Sequence, residues 1–219
     1  MCRHTHRTGE ERARGPEARD GRETDRGETA AVDSVRRRPL LVSGAAALAA
    51  LAGCGSSDSG DAPEPVDLTT EDRCDVCGMV IPNHPGPSAE IFYADNRPSG
   101  HDDPARFDST WEAFQYDFER NDRGWDREAF YVTDYSEVDY SVTEEGGDSV
   151  VSTHPDAGAF ADAESVTFVV GSEVKGAMGR DLIAFSEGSD AEAFADEHGG
   201  SLAALGDVTP ETIAQLGRA

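Results

Sequence analysis

The sequence predicts an α+β protein built from two similar ββαβ units joined by an acidic, glycine-rich linker. A repeated pattern is the first reason: Ser109-Thr110-Trp111-Glu112-Ala113-Phe114 matches Ser189-Asp190-Ala191-Glu192-Ala193-Phe194. The second is that each copy opens a run of apolar residues at helical spacing, Trp111, Phe114 and Phe118 in one and Ala191, Phe194 and Ala195 in the other. The third is that both copies are flanked by short β-branched and aromatic runs bounded by Gly, Pro and Asp, which is the composition of strands.

In chain order, the first unit covers residues 73–135. Its strands are Val80-Ile81 and Ala89-Glu90-Ile91-Phe92-Tyr93 before the helix, and Ala129-Phe130-Tyr131-Val132-Thr133 after it. Ser109 and Glu112 form a capping box, in which serine and a glutamate three residues on satisfy the free amides of a helix start. The helix closes at Asn121-Asp122-Arg123-Gly124. Residues 136–164 read as the linker. The second unit, residues 165–219, repeats the plan. Its strands are Val166-Thr167-Phe168-Val169-Val170 and Leu182-Ile183-Ala184-Phe185, its capping box is Ser189 with Glu192, and its helix ends at His198-Gly199-Gly200. The strand Ser201-Leu202-Ala203-Ala204-Leu205 follows, then a short helix with Thr209 as N-cap and Pro210 in the first turn. Trp111, Phe114, Phe185 and Phe194 are the expected core.

Residues 1–53 read as an N-terminal extension and an export signal. Arg36-Arg37-Arg38 precede an apolar run through Leu51 and the small-residue site Leu51-Ala52-Gly53-Cys54. The run is too short to cross a bilayer as a helix, which takes ~20 residues. Arg37-Arg38 before Pro39-Leu40-Leu41 resembles a twin-arginine signal, and Leu51-Ala52-Gly53-Cys54 resembles a lipobox whose Cys54 is lipidated. Such signals begin a few residues before the arginines, so residues 1–34 read as an over-extended start. Residues 54–72, with Gly55-Ser56-Ser57 and Pro63-Glu64-Pro65, are expected to form a flexible tether. The chain would then be exported and held on the outer face of the cytoplasmic membrane through lipid alone.

The chain has 219 residues and a formal net charge of -25. That excludes nucleic acid, whose phosphates need basic partners. Lys175 is the only lysine. Extreme acidity with almost no lysine resembles proteins of salt-loving microbes, in which concentrated salt screens self-repulsion.

Cys74-Asp75-Val76-Cys77-Gly78-Met79 places three soft sulphur donors in one short stretch. Thiolates and thioethers together select soft ions, above all Cu(I). If the segment is an extended strand, Cys77 and Met79 point to one face and address one ion. Cys74 reaches that ion only if Asp75-Val76 makes a turn. Met178, between Gly176 and Gly179, is the remaining thioether beyond Met1 and would approach from the second unit. His84 stands seven residues past Cys77 as a possible additional ligand. With Cys2 and Cys54 in or bordering the export segment, Cys74 and Cys77 are the free thiols of the mature protein, so no disulfide framework is expected. Two other uses of CxxC compete. A structural zinc site wants four ligands, and no second CxxC or histidine pair completes one. A thiol–disulfide oxidoreductase places CxxC at a helix N-terminus, whereas Gly78-Met79-Val80-Ile81-Pro82 continues as an extended segment. His198 closes a helix, where a donor satisfies terminal carbonyls. No nucleophile–base constellation or phosphate loop stands out, so the chain reads as a carrier and not an enzyme.

Cys74-Asp75-Val76-Cys77-Gly78-Met79, the later Gly176-Ala177-Met178-Gly179-Arg180-Asp181-Leu182-Ile183-Ala184-Phe185 and Phe194-Ala195-Asp196-Glu197-His198-Gly199-Gly200 together resemble the NosL family. The resemblance runs from about Cys74 to Asp207. It implies a membrane-anchored, exported Cu(I) chaperone of two similar ββαβ units that supplies copper to nitrous oxide reductase. Carried over by position, Cys77, Met79 and Met178 are the implied ligands, with Cys74 beside them. Residues 1–34 and the acidic stretch Glu144-Glu145-Gly146-Gly147-Asp148 fit no part of that pattern.

Overall fold

Strands β1 (Ala89–Tyr93) and β2 (Ala105–Phe107), helix α1 (Thr110–Asn121) and strand β3 (Arg127–Thr133) form the first ββαβ unit. The second consists of β7 (Thr167–Gly176), β8 (Gly179–Phe185), α2 (Gly188–His198) and β9 (Ser201–Ala203). Between them lie β4 (Val142–Glu145), β5 (Asp148–Val151) and β6 (Phe160–Asp162), and α3 (Pro210–Leu216) closes the chain. This computed structural model describes residues 62–217. The two export features, Arg37-Arg38 and Cys54, lie outside the described residues.

The two units share one topology. In each, the first strand is central and antiparallel to both others: Ile91 pairs with Ala105 and Phe130, and Val169 pairs with Ile183 and Leu202. The units are stitched together just past β3, where Asp134 bridges Ala184 on β8 and Tyr135 N donates to Ala184 O at 2.9 Å.

Phe168-Val169 of β7 and Leu182-Ile183-Ala184-Phe185 of β8 are continuously apolar and buried because both faces of the sheet are covered there. Phe168, Leu182 and Ala184 join the core that contains Ile91, Phe107, Phe114 and Phe130. Val169, Ile183 and Phe185 join a second core with Tyr135, Ala191 and Phe194. Phe114 connects the units, meeting Phe130 of β3 at 5.1 Å and Phe168 of β7 at 5.5 Å between ring centroids. Helix α3 starts as expected, with Thr209 Oγ1 accepting from Thr212 N, and its Ile213 carbonyl accepts from Trp111 Nε1 at 2.8 Å.

Four expectations need correction. Val80-Ile81 is not a strand: Val80 makes a single bridge to Arg73, and Ile81–Asn83 is a 3-10 turn with Pro82 inside it, where proline offers no ladder donor. The true partner strand is β2, three residues long. Residues 136–164 are not a free linker. Gly146 and Gly147, at φ of 64° and 96°, make the tight turn of the β4–β5 hairpin, which joins the second sheet through Val150 and Lys175. Strand β6 joins the first sheet beside β3. The second capping box does not form: α2 starts two residues earlier than the motif, with Glu187 as N-cap, no side-chain cap bond, and Ser189 exposed. Finally, residues 62–72 are packed and not a flexible tether. Tyr131 Oη donates to Pro63 O at 2.8 Å, Val66 N donates to Glu90 Oε2 at 3.0 Å, Leu68 N donates to Pro155 O at 2.8 Å, and Leu68 is buried.

Candidate metal centre

The cysteines sit on a closed loop. Arg73 and Val80 pair across its base, Cys74 N donates to Met79 O at 2.9 Å, and Gly78 N donates to Cys74 O at 2.9 Å. Gly78 has φ of 76°, a left-handed conformation that glycine adopts without a Cβ clash. Cys77-Gly78-Met79 is therefore not extended, and the expectation that Cys77 and Met79 share a strand face is overturned. The condition set for Cys74 is met instead, because Asp75-Val76 lies in the turn.

Asp75 anchors this turn. Its carboxylate accepts from Arg106 N at 2.8 Å and faces His101 Nε2 at 3.0 Å, while its own N–H donates to Arg106 O at 2.9 Å. The loop is thus sewn to strand β2, which leads directly into Asp108 and α1. Cys74 is buried and Cys77 half-buried.

Each sulphur meets a carboxylate from the start of α1. Cys74 Sγ donates to Glu112 Oε2 at 3.0 Å, and Cys77 Sγ donates to Asp108 Oδ1 at 3.4 Å. One ligand atom from each of Cys74, Cys77, Asp108 and Glu112 lies within 4.8 Å of the others. Sequence reasoning missed both acids as site residues. Glu112 was assigned to a capping box, and half of that box forms: Ser109 Oγ accepts from Glu112 N at 3.3 Å. The glutamate side chain does not return to Ser109 N; it turns to the buried thiol. The available signal was a pair of acids bracketing a helix cap just after a strand, where the helix N-terminus favours negative charge.

The pocket favours protonated thiols. Burial, reinforced by the nearby Asp108 and Glu112 charges, raises the Cys77 thiol to about 11. Burial pushes the Cys74 thiol still higher. Burial also raises Glu112 to about 7, although the hydrogen bond from Cys74 pulls the other way. A cation entering here must displace thiol protons.

Met79 is half-buried beside Gly78 on the same loop. Met178 occupies the two-residue turn between β7 and β8 and is 41% exposed. That hairpin is docked on the start of α1 by Asp181, wholly buried on β8. Its Oδ2 accepts from Ser109 Oγ at 2.9 Å, and its Oδ1 accepts from Trp111 N at 2.8 Å and from Leu182 N at 2.8 Å. A second-unit carboxylate thereby completes the cap of the first-unit helix. Gly86 and Gly176 bring the backbones together: a Cβ on Gly86 would stand 2.5 Å from Gly176 Cα. His84 lies elsewhere, in a groove of about 280 Å³ lined also by Pro82, Pro85, Glu145 and Val151. It is not part of the four-residue group.

Two ββαβ units, the first holding a loop of thiols against the start of its helix and the second docking a hairpin on that same helix start, define a class of duplicated α+β proteins with a thiol pocket beside the unit junction. The chain belongs to the NosL family, whose model matches residues 65–213. It is 35% identical over 151 residues to the copper-binding lipoprotein NosL of Stutzerimonas stutzeri, covering 68% of this chain and 69% of that protein. It is 32% identical over 180 residues to the copper-binding lipoprotein NosL of Achromobacter cycloclastes, covering 82% and 84%. Its structure is similar to that of the copper chaperone NosL from Shewanella denitrificans, with a TM-score of 0.54, 28% identity, and coverage of 68% of this chain and 98% of that one.

Proposed function

We propose that this chain is an exported, lipid-anchored Cu(I) carrier that delivers copper for the maturation of nitrous oxide reductase. The observation that carries the reading is the convergence of Cys74 and Cys77 in one pocket on a loop of the family motif. The printed descriptions of its relatives, two copper-binding lipoproteins and one copper chaperone, support it.

Cys74 and Cys77 would hold the ion as thiolates, with Met79 and Met178 supplying thioether donors of matching softness. Half-buried Cys77 is the point of entry and exit, and Cys74 is the inner donor. Exposed Met178, on its hairpin turn, would share the ion with an incoming partner. Transfer would run by ligand exchange through transient shared coordination, with no bond made or broken in an organic substrate. Among the described residues, no helix is long and apolar enough to cross a membrane. Attachment is assigned to lipid on Cys54.

A thiol–disulfide oxidoreductase is the competing class. Such enzymes rely on a depressed thiol pKa, whereas burial raises both thiols here.

Titration of the reduced chain with Cu(I) against a competing chelator tests the proposal. Cys77→Ser should abolish tight binding, and Met178→Leu should weaken it without abolishing it. Unchanged affinity in Cys77→Ser would exclude the site. Disulfide-reductase turnover surviving Met79→Leu would favour the redox class.

A further inference from the structure

We propose that residues 62–67 are a releasable strap over the outer face of the first sheet, closed while Glu90 holds its proton and lifted when that carboxyl ionises. The release stands apart from the copper reading; only its consequence for reach rests on attachment through Cys54.

The strap is lightly held. Side chains alternate across a strand, so Ala89, Ile91 and Tyr93 of β1 enter the core shared with Phe114 of α1, while Glu90 and Phe92 face away from it. Tyr131 of β3 pairs with Glu90 and shares this outward face. Residues 62–67 cross it on three bonds: Tyr131 Oη to Pro63 O at 2.8 Å, Val66 N to Glu90 Oε2 at 3.0 Å, and Ala157 N to Asp67 Oδ1 at 2.8 Å. Only Pro63 and Pro65 are even half-buried; Ala62, Glu64, Val66 and Asp67 are exposed. A segment with so few buried apolar contacts opens at far less cost than global unfolding. Leu68 ends it, buried in the core with its N–H on Pro155 O. Beyond it, Thr69 N and Oγ1 both donate to Asp72 Oδ2, at 2.7 and 2.9 Å, locking the approach to the thiol loop. Release therefore stops at Leu68 and leaves that loop in place.

Beneath the strap lies a poorly solvated acid. Glu90 is 0% exposed, and its Oε1 has no hydrogen-bond partner among the described residues. A carboxylate offers about four acceptor positions, and Val66 fills one. Arg106 stands opposite on β2, but its Nη1 is committed to Asp72. The other groups that face Glu90 are Asp67, Asp72 and Tyr131, and Glu64 lies beside Tyr131; none of them brings positive charge. Burial dominates and raises the Glu90 carboxyl to about 7, opposed by the Val66 bond and Arg106 and aided by Asp72 and Asp67.

Lifting the strap admits water, which solvates the carboxylate and returns it toward 4.5. The closed form therefore binds this proton more tightly. Closure is fully favoured below about pH 4.5 and loses ground as pH rises to about 7, by up to about two orders of magnitude in the opening constant. Ionisation sends one proton to solvent and transfers no electrons. With the strap closed, a chain anchored at Cys54 spans at most about 30 Å to Pro63; release to Leu68 extends that reach to about 50 Å.

Hydrogen exchange of the full, reduced chain, read as protection factors of single amides from about pH 5 to 8, tests the strap. Val66 N–H should be less protected than the amides of β1 at every pH. It should respond little to low urea, because its opening exposes little surface, and should lose at least about tenfold in protection across the window. Glu90→Gln, uncharged and close in shape, should hold Val66 protection level with pH. Equal protection of Val66 and the β1 amides would mean that the strap leaves only with the sheet, and would overturn the proposal. A wild-type Val66 protection that stays flat with pH, or a slope that survives Glu90→Gln, would do the same. Should Glu90→Gln fail to fold, Tyr131→Phe replaces it: without the Pro63 bond, Val66 protection should fall at every pH, and unchanged protection would sink the strap. None of these readouts uses metal or lipid, so the copper reading and the anchor fail or stand separately.

Discussion

The two ββαβ units carry nearly the same six residues at their helices, yet only the first copy builds a site. In α1, Ser109 is the N-cap and Glu112 turns inward to Cys74. In α2, the equivalent serine is already inside the helix and exposed, and Glu192 is exposed too. Burial makes the difference. Helix α1 is covered by the first sheet, by β8 and by α3, so its polar cap must find protein partners, and it finds Asp181. Helix α2 buries only Ala191 and Phe194, and its start is exposed with no side-chain cap bond. The duplicated motif meets a buried thiol only in the copy whose polar end is enclosed.

The largest effect expected from that contrast lies in the phenylalanines of the motif. Phe114→Ala should destabilise by about 3–5 kcal/mol, at the upper end because its ring joins β3 to β7. Phe194→Ala should fall at the lower end, since its neighbours Tyr140, Phe185 and His198 all lie on one side of the second sheet. Chemical denaturation of both variants measures this; equal losses would mean that Phe114 does not connect the units.

The next concerns central strands. Glu90 on β1 is wholly buried, whereas β7 presents Phe168 at the matching register. Burial raises the Glu90 carboxyl from 4.5 to about 7, against the opposing hydrogen bond from Val66. The folded chain therefore binds this proton more tightly than the unfolded one. Its contribution is fully present below about pH 4.5 and is lost as pH rises toward 7, on the order of 3 kcal/mol. Melting curves across that window should show stability falling with pH, and Glu90→Gln should flatten the slope. An unchanged slope in Glu90→Gln would assign it to other buried acids, such as Asp181, which burial also raises to about 7.

The smallest effect separates the two serines. Ser109→Ala should cost about 1–2 kcal/mol through the lost cap and should leave Asp181 Oδ2 without its donor. Ser189→Ala should change stability by less than about 0.5 kcal/mol. Matching values would remove the distinction between enclosed and solvated caps.

Periodicity and capping chemistry were enough to read α1, α3, β1 and the apolar segments of β7 and β8 from the sequence. These elements have strong apolar patterns or a definite cap. The three-residue strand β2 was not legible, since Ala-Arg-Phe carries too little pattern. The hairpin in residues 136–164 was masked by surface acids, because exposed edge strands and loops share a composition. For the site, the sulphur residues were legible from their types alone. Asp108 and Glu112 were not, since their role depends on a loop more than thirty residues upstream folding back onto α1. The relation of Cys77 to Met79 turned on one glycine at positive φ, which spacing rules do not report.

Where Gly86 meets Gly176, main chain rests directly on main chain, with no side chain between them to compress or rotate. The gap between the strap before β1 and the turn bearing Met178 is accordingly fixed at its minimum. A side chain at Gly86 can only wedge the two apart, and one at Gly176 would press on the Asp181 carboxylate and Pro87, so drift at this joint runs in one direction, toward a looser grip.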